Sequence, residues 1–479
     1  MEMIVPAILL PRPRLLTEDQ LARIHEAALR ILEGIGVLSR TPHVVQAAAR
    51  IGLQVRNHRV LFDRATVNAF VDEFRARPAV VKEEEPDPLP EIILAPCQYA
   101  VAVHDLETDQ VVPFTTDRLI EAAKLLDTLT PWAVIAKAPG TPMDVPGDLQ
   151  PVLKYKIQAL YCRHGRRPVE LGSPRATPYL LDMAEALGNP FTTADVYVVS
   201  PLTIGGESFD CALEQKHRLK SLWVSNMSSM GATAPIALGD ALALGVAEVV
   251  GAAILAREVV GLPVDWSVRV TPFDPRPMSL TLGGPEEYPL QWASDEVNAW
   301  YHGRAPRPPW GSLHSQAKLP DQQAAVERMT SMLTSALFGT RTFVGLGRLS
   351  LDEVFSAEQA VVDLEIRDHV QRLISGIDID CDPEACLAEV ASGLADGFLG
   401  LDSTVAAYQQ VYWRPRLFWR GMVAEWLRAR RQREEDVDLH LRAKEMVRQQ
   451  LKQWDYELEP DLRREVERIY DRAERELLA

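Results

Sequence analysis

Cysteine is scarce in this chain, with five among 479 residues (Cys97, Cys162, Cys211, Cys381 and Cys386). No two form a CxxC pair and none joins histidine at zinc-ligand spacing, so a structural zinc site is excluded; the odd count argues against a disulfide framework. Reduced, mostly buried thiols are the expectation, and with no tight His/Asp/Glu set in the sequence, no bound metal is expected. Basic residues are outnumbered, 51 against 67 acidic ones, for a net charge of -16. A surface of that sign repels phosphate backbones and anionic lipid, which removes nucleic acid and membrane surfaces as expected partners. Long uncharged apolar runs are also missing. The longest apolar stretch, residues 236–260, carries Asp240, Glu248, Arg257 and Glu258, charges that a lipid-exposed span would avoid, and it reads as a helix buried in a large soluble fold. The apolar residues 3–10 are interrupted by Pro6, lack a basic flank and lead into Pro11 and Pro13, so no secretion signal is read and a cytoplasmic location is expected.

What remains is an ordinary globular composition, 47% apolar and 25% charged, on a chain long enough for more than one structural unit. From Thr17, the sequence TEDQLARIHEAALRILEGIG places Leu21, Ile24, Ala28, Ile31 and Leu32 on one helical face, with Thr17 and Gln20 forming a capping box. A short helix at 42–50, an extended VRNHRVLF segment and a helix at 64–77 follow, up to the charged, proline-rich KEEEPDPLPE. Residues 1–90 are therefore assigned to an N-terminal cap.

Beyond that point β-rich segments alternate with helical ones: WAVIA at 132, RPVELG at 167, DVYVVSP at 195, LWVSN at 222, PVDWSVRV at 263, PPWGSLHS at 308 and RTFVGL at 341. Such alternation predicts parallel βα units and an α/β fold. A (β/α)₈ TIM-type barrel needs about 250 residues, and residues 91–414 are assigned to it, with LGLDST at 400 as the candidate eighth strand. A doubly wound open sheet stays open as an alternative, because alternation alone does not show closure. Residues 415–479, rich in Arg and Glu, predict a C-terminal helical extension with solvated faces or an oligomer contact.

Seven segments in a fixed order carry a resemblance: LTEDQLARIHEAALRILEGIGV, VHDLETDQVVPFTTDRLIEAAKLLDTL, SPLTIGGE, MGATAPIALGDALALGVAEVV, DPRPMSL with GGPEEYPL, AKLPDQQAAVERM and FVGLGRLSLDEVFSAEQAVVDLEI. Together they resemble the trimethylamine methyltransferase family over nearly the whole chain. The resemblance implies a barrel that passes a methyl group from an amine to the Co(I) corrinoid of a separate protein. The corrinoid signature DxHxxG is absent from this chain, so cobalamin is expected on a partner corrinoid protein. Founding members of the family carry pyrrolysine and demethylate trimethylamine, whereas relatives without it act on quaternary amines such as glycine betaine. With only standard residues here, a quaternary amine is the expected substrate, since its permanent charge already makes the amine a leaving group. Where many relatives have His-Gly-x-Gly-Gly, residues 343–348 read FVGLGR. That departure leaves open a different betaine, or a diverged barrel that binds quaternary amines without turnover.

Methyl transfer by in-line displacement asks the protein to hold the cation, aim one methyl outward and exclude water. Aromatic faces suit a cation, and the strand segments offer Trp132, Trp223, Trp266, Trp310 and Phe343. Alternation sets Trp266 opposite Asp265, Ser267 and Arg269, so it either packs under helices or touches substrate. Trp310 precedes GSLHS near a strand end. His314, at the loop end of that strand beside Gln316 and Lys318, is the candidate catalytic residue; Asp321 is read as a helix cap. A betaine carboxylate wants a guanidinium, for which Arg269, Arg276 and Arg348 are candidates. Asp274 and Arg276 match the family's Asp-x-Arg element and Glu286 its Pro-Glu element; these charges line the site or pair with one another. Thr233 and Pro235 are read as a helix start that caps or meets an anion, and Asn226 lines the pocket or fixes the turn after LWVSN.

Overall fold

A computed structural model describes residues 8–77, 91–167, 170–309, 311–377, 379, 381–432 and 437–479. Helix α1 (Glu18–Gly34) begins with the expected capping box: the Thr17 hydroxyl accepts from the Gln20 N–H at 3.2 Å, and the Gln20 side chain accepts from the Thr17 N–H at 2.8 Å. After it come β1 (Val37–Leu38), α2 (Pro42–Arg50), β2 (Gln54–Arg56), β3 (Arg59–Leu61) and α3 (Arg64–Arg75). The three strands form an antiparallel sheet in the order β1-β3-β2. Asn57 and His58, both at positive φ, close the β2–β3 hairpin, the geometry that a two-residue turn between twisted strands demands. The KEEEPDPLPE segment lies outside the described residues, apart from Glu91.

The next strands begin upstream of the first β-rich segment read from the sequence. β4 (Ile93–Ala95) precedes the hairpin of β5 (Ala102–His104) and β6 (Val111–Pro113), then α4 (Thr116–Thr128), α5 (Gln150–Tyr161), α6 (Thr177–Ala186) and β7 (Thr193–Tyr197). There follow α7 (Glu207–Glu214), β8 (Ser221–Ser225), β9 (Ser228–Ser229), α8 (Leu238–Val260), β10 (Val264–Ser267), β11 (Val270–Thr271) and the hairpin β12 (Phe273–Asp274) with β13 (Ser279–Leu280). Then come α9 (Glu287–Tyr301), β14 (Gly311–Ser312), α10 (Gln322–Leu337), β15 (Thr342–Val344), the hairpin β16 (Arg348–Leu349) with β17 (Val354–Ser356), and α11 (Ala357–Ile374).

Two parallel runs organise this α/β region. β8 lies between β7 and β10, and β15 lies between β14 and β4. Leu94 of β4 also bridges Val134 in parallel, all that the WAVIA segment contributes. Pro168 and Val169 of RPVELG lie outside the described residues, and Glu170–Gly172 are not strand. The expected eighth strand at 400 is corrected: residues 402–411 are helical, and a parallel strand stands instead at Ile93–Ala95. A strand needs partners on its own sheet, and β4 has them in β15 and Val134.

Helix α8 is long and apolar enough to cross a membrane by length and composition, yet 83% of its most apolar window is buried inside the fold. It begins at Leu238, capped by Ala237, so the expected start at Thr233 and Pro235 is corrected; Thr233 instead accepts the Ser229 N–H on its hydroxyl. The N-terminal helices α1 and α2 lie on α8, and their apolar residues share one core with Val196, Val224 and Trp266.

After α11 come α12 (Pro383–Asp396), α13 (Asp402–Val411), α14 (Val423–Arg431), α15 (Leu439–Leu451) and α16 (Pro460–Leu477). α15 packs on α4 and α11, and α16 on α5 and α6. Ala443, Val447, Val466, Ile469 and Ala473 thereby enter the same core as Leu126 and Tyr155. Most charges of α15 and α16 face outward, while the packed face is mainly apolar and takes in Lys444 as well.

Candidate active site

Parallel strands deliver their C-terminal ends to one rim, the place where α/β folds build sites. Tyr99 follows β4, Tyr197 ends β7, Asn226 follows β8, Arg269 follows β10, His314 follows β14 and Arg348 comes just after the turn that follows β15, as the first residue of β16. Burial alternates along the strands: Ala194, Val196, Leu222, Val224, Val264 and Trp266 are buried under helices, so their neighbours face the other way. Register aligns Asp195 with Trp223 and Asp265, and one layer on, Tyr197 with Ser225 and Ser267. Arg269 extends the Asp265–Ser267 face toward the rim.

At the rim His314 and Arg269 converge on a residue that was not singled out from the sequence, Glu287. His314 is 5% exposed, with Nδ1 2.7 Å from Glu287 Oε1. Glu287 stands in the first turn of α9 and its other oxygen accepts the Gly283 N–H at 2.7 Å, placing negative charge where a helix favours it. Burial, with Arg348 nearby, pushes His314 down to about 4. Burial alone would raise Glu287, but the bonds from His314 and Gly283 and the charge of Arg269 hold it below the usual carboxylate range. At neutral pH the pair is therefore a neutral imidazole donating Nδ1–H to an ionised carboxylate. The Ser312 hydroxyl lies beside the same ring, 2.9 Å from Nδ1 and 3.2 Å from Nε2, and its oxygen accepts from Arg348 Nη2 at 3.1 Å.

The three candidate guanidiniums have different fates. Arg348 is 6% exposed, bonded to Ser312 and paired with Asp352. Arg276 points to solvent and holds Asp274 through Nε and Nη2, at 2.6 Å for the shortest contact. Arg269 reaches Glu287 only at 3.6 Å, with 40% of its side-chain surface open. Its surroundings depress its pKa by burial, with Glu287 offsetting part of that. A guanidinium both enclosed and accessible is one on the wall of a cavity.

The remaining sequence candidates sit elsewhere. Asp274 and Arg276 form their own exposed pair, and Glu286 caps α9 beside Arg276 rather than joining His314; the adjacent Glu287 takes that place. Trp266 is 1% exposed and packs against Phe74, Tyr301 and His302, away from the rim. Phe343 is likewise core, and Trp310 lies outside the described residues. Trp132 carries the Arg416 guanidinium on its ring, and Trp223 lines a cleft with Arg77, Thr193 and Asp265 toward the strands' N-terminal ends. Asn226 is buried with its amide fully engaged: Oδ1 accepts the Arg269 N–H at 2.9 Å, and Nδ2 donates to Ser228 and Glu248. It fixes the backbone that carries Arg269. Gln316 likewise holds the β12–β13 hairpin through the Leu280 and Leu282 carbonyls, and Asp321 caps α10 as expected.

Sequence reasoning also passed over Tyr99, Tyr197 and Glu170. Both phenols donate to Glu170 Oε1, Tyr197 at 3.3 Å, and burial together with Glu170 pushes both phenol pKa values up. The alternation that turned Arg269 inward also turns Tyr197 inward, so that signal was present in DVYVV. For Tyr99 the missing signal was β4 itself.

Among the described residues, His104, Asp109 and Glu358 form the group whose donor atoms approach closely enough for a metal. Lys444 Nζ already lies 2.6 Å from Asp109, so an ammonium supplies the positive charge there.

The sequence pattern of the trimethylamine methyltransferase family matches residues 3–477. The chain is 28% identical over 298 residues to trimethylamine methyltransferase MttB of Methanosarcina barkeri (strain Fusaro / DSM 804), covering 61% of this chain and 58% of that protein. It is 24% identical over 439 residues to the glycine betaine methyltransferase of Desulfitobacterium hafniense (strain Y51), covering 87% and 89%. The chain thus spans little more than half the length of the trimethylamine methyltransferases it matches. The crystal structure of the Methanosarcina barkeri monomethylamine methyltransferase aligns over 94% of this chain and 90% of that one, with a TM-score of 0.41 and 11% identity. With its pattern matched almost end to end, the chain belongs to the trimethylamine methyltransferase family.

Proposed function

We propose that this chain removes a methyl group from a small quaternary amine bearing a carboxylate, a betaine, and passes it to the Co(I) corrinoid of a separate protein, working as a closed (β/α)₈ barrel in the cytoplasm. The observation that carries the reading is Arg269, an open guanidinium whose one ion-pair partner among the described residues, Glu287, is 3.6 Å away and already bonded to His314. An accessible cation so weakly neutralised suits a ligand carboxylate. The barrel reading is supported by β15 and β17, late strands that pair in parallel with the early strands β4 and β5.

Reduced cobalt supplies the nucleophile, so this chain needs no general base, and a neutral imidazole fits that requirement. Arg269 binds the carboxylate and fixes the distance from rim to ammonium. Glu287 and Asn226 hold Arg269, one through its side chain and the other through its backbone. His314 keeps Glu287 charged and oriented, so that Glu287 does not collapse onto the guanidinium. The loops around the rim expose Val101, Val199, Met227, Ile236 and Met278, an apolar border suited to a docking protein that excludes water.

The test is demethylation of a betaine panel with a Co(I) corrinoid protein under strictly reducing conditions. Methyl-corrinoid should form with wild type, and kcat/KM should fall about a hundredfold in Arg269→Ala. No product from any betaine would refute the reading. A second reading, binding without turnover, is favoured by the altered glycine element, where Arg348 is buried against Ser312; calorimetric binding with no methyl transfer would establish it instead.

A further inference from the structure

We infer that Tyr99, Tyr197 and Glu170 form the seat for the permanently charged ammonium end of the substrate, opposite Arg269, and that this seat makes the site selective for quaternary cations over neutral groups of the same shape. The assignment rests on the betaine reading above and goes further by placing each end of the zwitterion.

Tyr99 and Tyr197 are 46% and 44% exposed, large rings left open at the end of two parallel strands. Their hydroxyls share one acceptor, Glu170 Oε1. A shared acceptor ties the two rings to one point and leaves ring surface open, and ring faces attract cations. Glu170 adds formal negative charge at the point where the rings converge. A methylated ammonium has no N–H to donate, so it gains from diffuse negative potential and contact area, which rings and a phenol-bonded carboxylate provide. A neutral tert-butyl group gains only the contact.

Other ionisable groups, of both signs, lie on the neighbouring elements. Asp195, one layer below Tyr197 on the same strand face, is pushed up to about 6 by burial and by Glu170. Lys154 donates to the Gln98 carbonyl at 3.1 Å and is depressed by burial. Lys137 is depressed by burial and by Arg167. Tyr197 shares its register row with Ser225 and Ser267. Two strand spacings make about 10 Å between the outer backbones of that row, and Arg269 lies two residues beyond Ser267 on the same face. A tyrosine reaching in from one side and an arginine from the other leave room for a zwitterion a few ångströms long.

The test is calorimetry with two ligands of equal shape: glycine betaine, and 3,3-dimethylbutanoate, in which a neutral tert-butyl group replaces the trimethylammonium and the carboxylate is kept. Wild type should bind the betaine about tenfold or more tightly. Tyr197→Leu and Tyr99→Leu should erase that preference by weakening betaine alone, Tyr197→Phe should keep most of it, and Arg269→Lys should weaken both ligands together. Equal binding of the two ligands by wild type, or parallel weakening of both in the leucine variants with circular dichroism unchanged, would overturn the cation seat while leaving Arg269 as a carboxylate site. Binding of neither ligand would overturn the seat and the betaine reading together.

Discussion

His314 shows how a single residue couples the site to pH. Its folded pKa is depressed to about 4 from an ordinary 6.5, so the unfolded chain binds this proton more readily than the folded one. Its contribution is complete above about 6.5 and is lost as pH falls from there through 4, worth about 3 kcal/mol across the window. Between pH 6.5 and 4 the melting temperature of wild type should therefore lose ground relative to that of His314→Gln as pH falls; parallel pH profiles would contradict the assignment of a neutral imidazole. The same residue marks what was readable in the linear chain. Position at the loop end of PPWGSLHS pointed to His314, but nothing in the sequence separates Glu286 from Glu287. Only the helical turn of α9 decides which of two adjacent carboxylates faces inward. Asn226 was likewise placed at the right strand end, yet its engagement with Glu248 depends on a helix some twenty residues away.

At the scale of elements, the turn after β15 is held from below by a buried pair. Arg328 and Asp363, both fully buried and 3.1 Å apart, bind the Gly345 carbonyl and the Gly347 N–H. Replacing Asp363 with Ala strands the Arg328 cation and should cost about 3–5 kcal/mol, seen as a lowered midpoint in urea unfolding. Gly345 adopts φ +119, and a Cβ there would lie 2.8 Å from Arg348 Nη2 and 2.9 Å from the Leu313 carbonyl. Gly345→Ala should cost roughly 1–3 kcal/mol from backbone strain and displace Arg348 from Ser312; the check is a lowered melting temperature together with weakened betaine binding. Many helices and the parallel strands β7, β8, β10, β14 and β15 were legible because their apolar periods and caps are local. β4 was hidden because three residues following a charged, proline-rich stretch carry no period. LGLDST read as a strand from its apolar residues, whereas Asp402 opens a helical turn.

For the molecule as a whole, α15 and α16 are structural members of the fold, with Val447, Ile469 and Ala473 in the central core. A chain ending at residue 437 should lose cooperative unfolding and expose apolar surface to a dye such as ANS, whereas a merely appended extension would leave the melting transition intact. Composition had indicated helices here, but only the packed face shows which side is buried, since a charge-rich helix reads as solvated until its partner surface is known.

The bond between β15 and β4 joins residue 342 to residue 93. Closing so long an interval carries a large entropic penalty before any contact rewards it. A nascent polypeptide still lacking its final third therefore holds Tyr99 on an unpaired edge, with His314 and Arg348 not yet in place opposite. Competence should arrive late and all at once after release from the ribosome, and chaperone demand should fall on the interval before the two ends meet.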